Sequence, residues 1–153
     1  MRLALAAVAL ALPAHGVFVP GTSLAKIRLG ERAPAVRAAW GRSYGVCDGC
    51  PRTTWYFNYK AFTQQGAAVE LVRGRVVAVY TVWRPDGWRT REGLRLGDSE
   101  ARIPAVYGAL PRTDCGTYAA YVETATNALS AFYVVEGRVW GFGLIRPGLP
   151  VCR

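Results

Sequence analysis

The sequence predicts an α+β protein of two tandem repeats, each a short helical segment packed on an antiparallel sheet. Two observations predict this class: a pair of similar segments, and strand-like apolar runs separated by turn residues. The chain has 153 residues, of which 52% are hydrophobic and 19% charged, so it can bury one ordinary core. We therefore expect one folded domain over residues 17–153.

The N-terminus has the features of a secretory signal peptide over residues 1–16. Residues 1–2 include a positive charge, residues 3–12 are apolar, and the small residues Ala14 and Gly16 precede the expected cleavage site. The apolar run is about ten residues long, whereas roughly 20 are needed to span a bilayer. We expect cleavage after Gly16, export to the periplasm, envelope or extracellular space, and no transmembrane span afterwards. A leader that is kept as an anchor is the alternative.

His15 is the only histidine of the chain, so cleavage of the leader would leave none. Serine triads, Cys–His pairs and most catalytic zinc sites need an imidazole group. No motif for a nucleophile elbow, a phosphate-binding loop or a zinc protease is present. We therefore predict no catalytic residues, no metal site and no cofactor.

Two segments of the chain are similar at an offset of 67 residues, the distance from Leu29 to Leu96. Over residues 27–41 and 94–108, five of fifteen positions are identical. Further on, the segment Val-Arg-Gly-Arg-Val at 72–76 matches Val-Glu-Gly-Arg-Val at 135–139. The order of these landmarks is the same in both halves, which predicts two repeats at about residues 24–83 and 93–145, followed by a tail over 146–153.

Each predicted repeat begins with a short helix. Glu31 and Asp98 follow the two Leu-Gly steps, at positions where a helix N-terminus favours negative charge. Pro104 falls inside the second helix and should shorten it. Apolar residues then recur at helical spacing and a glycine ends each stretch: Val36, Ala39, Trp40 and Gly41 in the first repeat, and Ile103, Val106, Tyr107 and Gly108 in the second.

Strands are predicted to follow each helix. Hairpin turns are expected at Arg73-Gly74 and Glu136-Gly137, because glycine permits the positive φ of a tight turn. In the runs 76–83 and 139–145, odd- and even-numbered positions are both apolar, so both faces of those strands are apolar. Each face is therefore expected to be covered, by the opposite repeat, a ligand or a partner. Aromatic residues on or near these strands are the candidate binding residues: Trp55, Phe57, Tyr59, Tyr80, Trp83, Trp88, Trp140 and Phe142.

This arrangement resembles the repeat of the β-lactamase-inhibitor protein (BLIP) and of the outer-membrane assembly lipoprotein BamE (SmpA/OmlA). The resemblance is carried by residues 27–30, 36–41 and 74–76, and by their counterparts in the second half. It implies helices on one side of a curved antiparallel sheet and a concave sheet face that grips a partner protein, as an inhibitor does. The chain departs from the lipoprotein pattern because no cysteine stands near the leader.

The four cysteines fit an oxidising compartment. We favour Cys47 with Cys50 and Cys115 with Cys152, and a rearranged pairing between the repeats stays open. A CxxC motif also suggests a thiol–disulfide oxidoreductase, which is the alternative function. Asp48 between the two sulfurs and a strand pattern after Cys50 favour a structural role instead.

The net charge of +9 favours an anionic partner. Export and the lack of a localised basic run argue against nucleic acid. We therefore predict a non-catalytic binding module that binds a protein or an anionic envelope component through a sheet face.

Overall fold

The computed structural model describes residues 12–58 and 66–153, and most of the elements in it are strands. They form one antiparallel sheet of eight strands and a smaller sheet of three short strands. In chain order the elements are β1 (Val17–Val19), β2 (Ser23–Leu24), α1 (Ala33–Trp40), β3 (Gly45–Val46), β4 (Thr53–Asn58), β5 (Gly66–Val72), β6 (Arg75–Val82), β7 (Arg89–Thr90), α2 (Arg102–Tyr107), β8 (Arg112–Asp114), β9 (Ala119–Thr124), β10 (Leu129–Val135) and β11 (Arg138–Ile145).

The predicted α+β class is wrong, because the protein is mostly β. The two helices have only eight and six residues, whereas β6 and β11 have eight each and six further strands complete the large sheet. Gly41 and Gly108 end the helices with positive φ angles of 86° and 76°. Pro104 is the third residue of α2, and α2 is the shorter helix. The helical patterns were real, but they cover too little chain to define the fold.

The acidic residues expected at the helix N-termini lie in the turns before the helices. Neither helix has a side-chain N-cap or an acidic residue in its first turn. Asp98 instead accepts a hydrogen bond from the Arg95 N–H at 2.9 Å, and so stabilises the preceding turn. A short Asp or Glu side chain can satisfy local backbone donors in a turn as readily as at a helix end.

The strand order across the large sheet is β3-β4-β5-β6-β11-β10-β9-β8. The strands after α1 and the strands after α2 therefore lie in mirrored order about the central β6–β11 pair. The same backbone contact recurs in each half: the Gly30 N–H donates to Val76 O at 2.8 Å, and the Gly97 N–H donates to Val139 O at 2.7 Å. The division of the domain into two repeats stays a prediction.

The two predicted hairpin turns are confirmed. Arg73-Gly74 joins β5 to β6 with φ angles of 51° and 71°, and Glu136-Gly137 joins β10 to β11 with φ angles of 49° and 74°. Two consecutive positive φ angles define the turn type whose twist matches that of the flanking strands. Glycine at the second position makes this conformation accessible in both hairpins.

One face of the large sheet, here called the helix face, packs against α1, α2 and the small sheet. Trp40 from α1, Ile103 from α2 and Phe18 from β1 are fully buried there. The Phe18 ring stacks on Phe142 with centroids 5.5 Å apart. The Trp40 indole N–H donates to Ala25 O at 2.9 Å, so this buried polar group is satisfied.

The opposite face, here called the tyrosine face, is partly covered by the tail over residues 146–153. Leu149 and Val151 of the tail pack on it, and the Tyr133 hydroxyl donates to Val151 O at 2.7 Å. β6 and β11 are thus buried on both faces over most of their length, as expected from their apolar runs. The side chains that define the tyrosine face are Tyr56, Tyr80, Tyr118, Tyr133 and Trp140.

The last residues of the predicted leader lie against the domain, where the Trp88 indole N–H donates to Pro13 O at 2.8 Å. Cleavage after Gly16 stays a prediction, and residues 1–11 of the leader lie outside the described residues, as does Tyr59. Over 12–58 and 66–153, no helix combines the length and apolarity that a bilayer span requires.

Candidate functional site

A pocket of about 230 Å³ opens on the tyrosine face, beside the end of the tail. Strands β4, β5 and β6 form its floor, because alternate residues of these strands point to the same side of the sheet. The two disulfides contribute to its rim. Its lining residues are Cys50, Pro51, Arg52, Thr54, Tyr56, Glu70, Tyr80, Cys152 and Arg153.

Glu70 is the acidic residue of the pocket and lies in the middle of β5, with only 7% of its side chain exposed. Arg52 Nε lies 2.5 Å from Glu70 Oε2. The strand register explains the pairing: Thr54 lies opposite Glu70, and Arg52, two residues earlier, belongs to the same side. The Glu70 carboxylate is therefore held by a charge-assisted hydrogen bond.

Arg153 reaches the same carboxylate from the tail. Its Nε lies 3.5 Å from Glu70 Oε1, which is within ion-pair range but longer than a normal N–H···O hydrogen bond. Its guanidinium lies 5.8 Å from the centre of the Tyr80 ring, and its side chain is only 7% exposed. Within the part of the chain that the structure describes, Arg153 Nε and Nη2 are buried and have no hydrogen-bond partner.

The two disulfides hold both arginines at the pocket. Cys47 is joined to Cys50, two residues before Arg52, and Cys115 is joined to Cys152, next to Arg153. This is the pairing favoured from the sequence. Each disulfide therefore restrains the backbone that carries one of the two guanidinium groups.

Tyr80 in the pocket and Tyr133 beside it have raised pKa values. Burial raises the pKa of Tyr80 well above its ordinary value, and the neighbouring Tyr56 raises it further. Burial also raises the pKa of Tyr133, which packs beside them under the tail. A neutral hydroxyl can donate a hydrogen bond to a ligand and adds no negative charge to the pocket.

The pocket is better suited to binding than to proton transfer. A general base must be free to take a proton from a substrate, whereas Glu70 is engaged by Arg52 and approached by Arg153. No histidine lines the pocket. No group of three or more His, Cys, Asp or Glu residues in the described ranges could hold a metal ion. The arrangement offers two guanidinium groups and two phenol rings to a ligand.

The structure divides the aromatic residues that were predicted to bind. Tyr80 and Trp140 lie on the tyrosine face, and Trp83 is half-buried directly after β6. Tyr59 lies outside the described residues. The others lie in the core of the helix face, where the surrounding packing leaves a partner no access: Trp55, Phe57, Trp88 and Phe142.

Sequence reasoning missed the polar half of the pocket. Glu70 was the strongest available signal, because it is a lone acidic residue inside the apolar strand Gly66–Val72. Arg52 and Arg153 each closely follow a cysteine, a pattern that gains meaning only once both disulfides are known. Tyr56, Tyr118 and Tyr133 had no signal that separated them from core aromatic residues.

The fold and the pocket define a disulfide-linked, mostly β protein with one large antiparallel sheet. No protein-family model and no curated protein matches the chain. Among solved structures it is similar to an extracellular protein containing an SCP domain from Bacillus anthracis, with a TM-score of 0.59 and 10% identity over 78% of this chain. The chain spans 44% of the length of that protein.

A second similar structure is a DUF4309 family protein, YjgB, from Bacillus subtilis. The TM-score is 0.55 and the identity 13%, over 76% of this chain and 78% of the other. At such identities the likeness concerns the fold alone. It has no bearing on the resemblance to the BLIP and BamE repeat, which stays a prediction.

Proposed function

We propose that the protein is an extracytoplasmic, non-catalytic module that binds an anionic ligand at the pocket of the tyrosine face. The observation that carries this proposal is the charge of the pocket: two arginines, Arg52 and Arg153, face one carboxylate, Glu70. Two guanidinium groups in the lining of one pocket favour an anionic ligand, because arginine N–H groups form charge-assisted hydrogen bonds with anions. The net charge of +9 on the whole chain would attract the same class of ligand from a distance.

An extracytoplasmic location is supported by the two disulfides and the absence of free cysteines. Such bonds form and persist in oxidising compartments. The periplasm, the cell envelope and the extracellular space all meet this condition, and an anionic envelope component is the ligand that the charge of the pocket favours.

A structural role for the Cys47–Cys50 pair is supported by its surroundings. Reactive CxxC pairs sit where a helix N-terminus or nearby cations favour the thiolate. Here the chain after Cys50 runs into strand β4, and the acidic Asp48 stands between the two sulfurs. The oxidoreductase alternative therefore has less support than binding.

The proposal can be tested with two polymers of equal length, dextran sulfate and neutral dextran, titrated against the purified oxidised protein. The test variant is Arg52→Gln/Arg153→Gln, and the control is Arg73→Gln/Arg146→Gln, whose arginines are exposed and lie outside the pocket. Both variants lose the same charge. We expect the pocket variant to bind dextran sulfate about tenfold more weakly, which corresponds to ~1.4 kcal/mol, and the control to change little.

Equal losses in the two variants would show that only the overall charge attracts the polymer, and would overturn the proposal. Binding of neutral dextran with the same affinity would also contradict it. Thermal unfolding of both variants confirms that the comparison is made between folded proteins.

A further inference from the structure

Residues 12–16, the last part of the predicted leader, are packed against the domain and are here called the leader segment. The Trp88 indole N–H donates to Pro13 O at 2.8 Å, and the Arg89 backbone N–H donates to Gly16 O at 3.1 Å. Trp88 is fully buried. The leader segment therefore supplies the acceptors for two hydrogen-bond donors of the domain.

Gly16 lies directly against the Trp88 ring. A Cβ atom at Gly16 would lie 2.7 Å from Trp88 Cε2 and 2.8 Å from the Cβ of Ala25, which is closer than carbon atoms approach without a bond. The φ angle of Gly16 is not positive, so its backbone conformation is open to other residues. Close packing on the indole, and not backbone conformation, is what requires glycine at this position.

The domain makes a second close contact with the leader segment at Gly87. A Cβ atom at Gly87 would lie 2.6 Å from Ala14 O and 2.7 Å from His15 Nδ1. The φ angle of Gly87 is not positive either. The missing side chain at Gly87 therefore leaves room for the leader segment to lie on the domain.

The small residue at position 16 has two possible explanations. A signal peptidase requires small residues at positions −3 and −1, which would account for Ala14 and Gly16 if the chain were cut after Gly16. This requirement does not extend to Gly87, which lies in the domain. A contact that persists in the mature fold accounts for Gly16 and Gly87 together.

Removal of the leader segment would leave a defect in the folded protein. Trp88 Nε1 and the Arg89 backbone N–H would lose their acceptors, and a donor that is buried without a partner destabilises the folded state. The Trp88 ring, which packs beside Trp40 in the helix-face core, would also lose part of its cover. The packing therefore favours a mature chain that keeps the leader segment.

We propose that residues 12–16 stay in the exported protein as part of the folded domain, and that the bond between Gly16 and Val17 is not the processing site. Leu12, the first residue of the leader segment, packs on the helix-face core. Just before it, Ala9 and Ala11 are another pair of small residues with the spacing that a signal peptidase recognises. This inference does not depend on the pocket or on its ligand.

The experiment expresses the full chain and its Gly16→Ala variant, and measures the mass and the thermal unfolding of the exported protein. Alanine meets the requirement for a small residue at −1, so a cut after position 16 would give the same mature protein from both chains. If the leader segment stays, the variant product is heavier by one methylene group and its new Cβ atom meets the Trp88 ring. We expect the heavier product, with a midpoint of thermal unfolding about 5 °C lower because of overpacking.

Gly87→Ala tests the same contact from the side of the domain. We expect it to lower the midpoint by a similar amount in a chain that begins at Leu12, and to have little effect in a chain that begins at Val17, where Ala14 and His15 are missing. Gly45→Ala is the matched control and should have little effect in both chains, because a Cβ atom at Gly45 would contact no atom within 4 Å.

Each outcome decides the inference. A mature protein that begins at Val17, or at any other residue after Leu12, would overturn it. Equal unfolding midpoints for the chains that begin at Leu12 and at Val17 would also overturn it, because the leader segment would then add nothing to the fold. A product that begins at Leu12 or earlier supports the inference, as does failure of the chain that begins at Val17 to fold.

Discussion

Two glycines on β11 make room for the tyrosine face. A Cβ atom on Gly143 would lie 2.9 Å from Tyr133 Oη, and one on Gly141 would overlap the backbone oxygen of Thr81 in the neighbouring strand β6. A side chain can rotate away from such a contact, but a strand in the centre of a sheet cannot move without disturbing its own hydrogen bonds. Gly141 is therefore the less replaceable of the two.

We predict that Gly141→Ala lowers the free energy of unfolding by about 3 kcal/mol, the upper part of the range for overpacking. Gly45→Ala is the matched control, since Gly45 also lies in a strand and a Cβ there would contact no atom within 4 Å. Urea unfolding measures both variants. A similar small cost in the two variants would contradict the close approach between β11 and β6.

The buried tyrosines predict a loss of stability at alkaline pH. Burial raises the pKa of Tyr80 and of Tyr133 in the folded protein, while tyrosines of the unfolded chain ionise near 10.0. Their contribution to stability is fully present below pH 10.0 and falls as the pH rises above that value, because only the unfolded chain then loses the protons.

An ultraviolet titration checks this expectation. We predict that Tyr80 and Tyr133 ionise only when the protein unfolds. Tyr133→Phe should therefore remove one group from the ionisation that accompanies unfolding. Ionisation of both residues near pH 10.0, with unchanged stability, would contradict the burial of these hydroxyl groups.

At the scale of elements, the tail and its disulfide cover the tyrosine face. The Cys115–Cys152 bond closes a loop with a sequence separation of 37, while the Cys47–Cys50 bond closes one with a separation of 3. The Tyr118 hydroxyl accepts a hydrogen bond from the Arg153 backbone N–H at 2.5 Å and helps to hold the tail. Loss of this disulfide would release the tail and uncover apolar surface, and it would also increase the conformational freedom of the unfolded chain.

We predict that Cys115→Ser/Cys152→Ser loses about 4 kcal/mol and Cys47→Ser/Cys50→Ser about 2 kcal/mol, as the chain-entropy model gives for loops of these lengths. Urea unfolding of the two double variants under oxidising conditions provides the comparison. Equal costs would show that loop length does not determine the contribution of these disulfides.

Local patterns predicted the strands, hairpins and cysteine pairing better than the fold class. Arg73-Gly74 and Glu136-Gly137 form tight turns because consecutive residues determine them. The helical periodicity around Val36 and Ile103 was also correct, but helices of eight and six residues are too short beside eight strands to make the class α+β. The fold class depends on how many residues lie in helices and how many in strands, and periodicity alone does not give these numbers.

Contacts between distant parts of the chain determine which face of the sheet each side chain lies on and where the pocket forms. Phe142 was predicted to bind, yet it lies in the core, because a strand with apolar residues on both faces does not indicate which face the helices cover. Arg52, Glu70 and Arg153 come from three separate segments. Only the sheet register and the disulfides bring them together.

At the scale of the whole molecule, the β6–β11 pair and the helix-face core join the two halves. Gly141 pairs with Val82 and Ile145 pairs with Ala78 across this boundary. The helix-face core contains residues of both halves, with Val36 and Ile103 in one continuous cluster. Unfolding one half alone would therefore expose apolar surface of the other.

We predict that the oxidised protein unfolds in a single cooperative transition. Far-ultraviolet circular dichroism, which follows the strands, and near-ultraviolet circular dichroism, which follows the buried aromatic residues, should give the same midpoint in urea. Two separate midpoints would mean that the halves are stable independently and that the central pair contributes little.

Because of the mirrored strand order, the two edges of the large sheet are formed by its shortest strands. β3 has two residues and β8 has three, so each margin offers few free backbone groups to another copy of the chain. Long exposed margins promote fibril growth by adding strand to strand. A protein that keeps its sheet bounded in this way can accumulate outside the cytoplasm, beyond the reach of ATP-driven chaperones, without stacking into polymers.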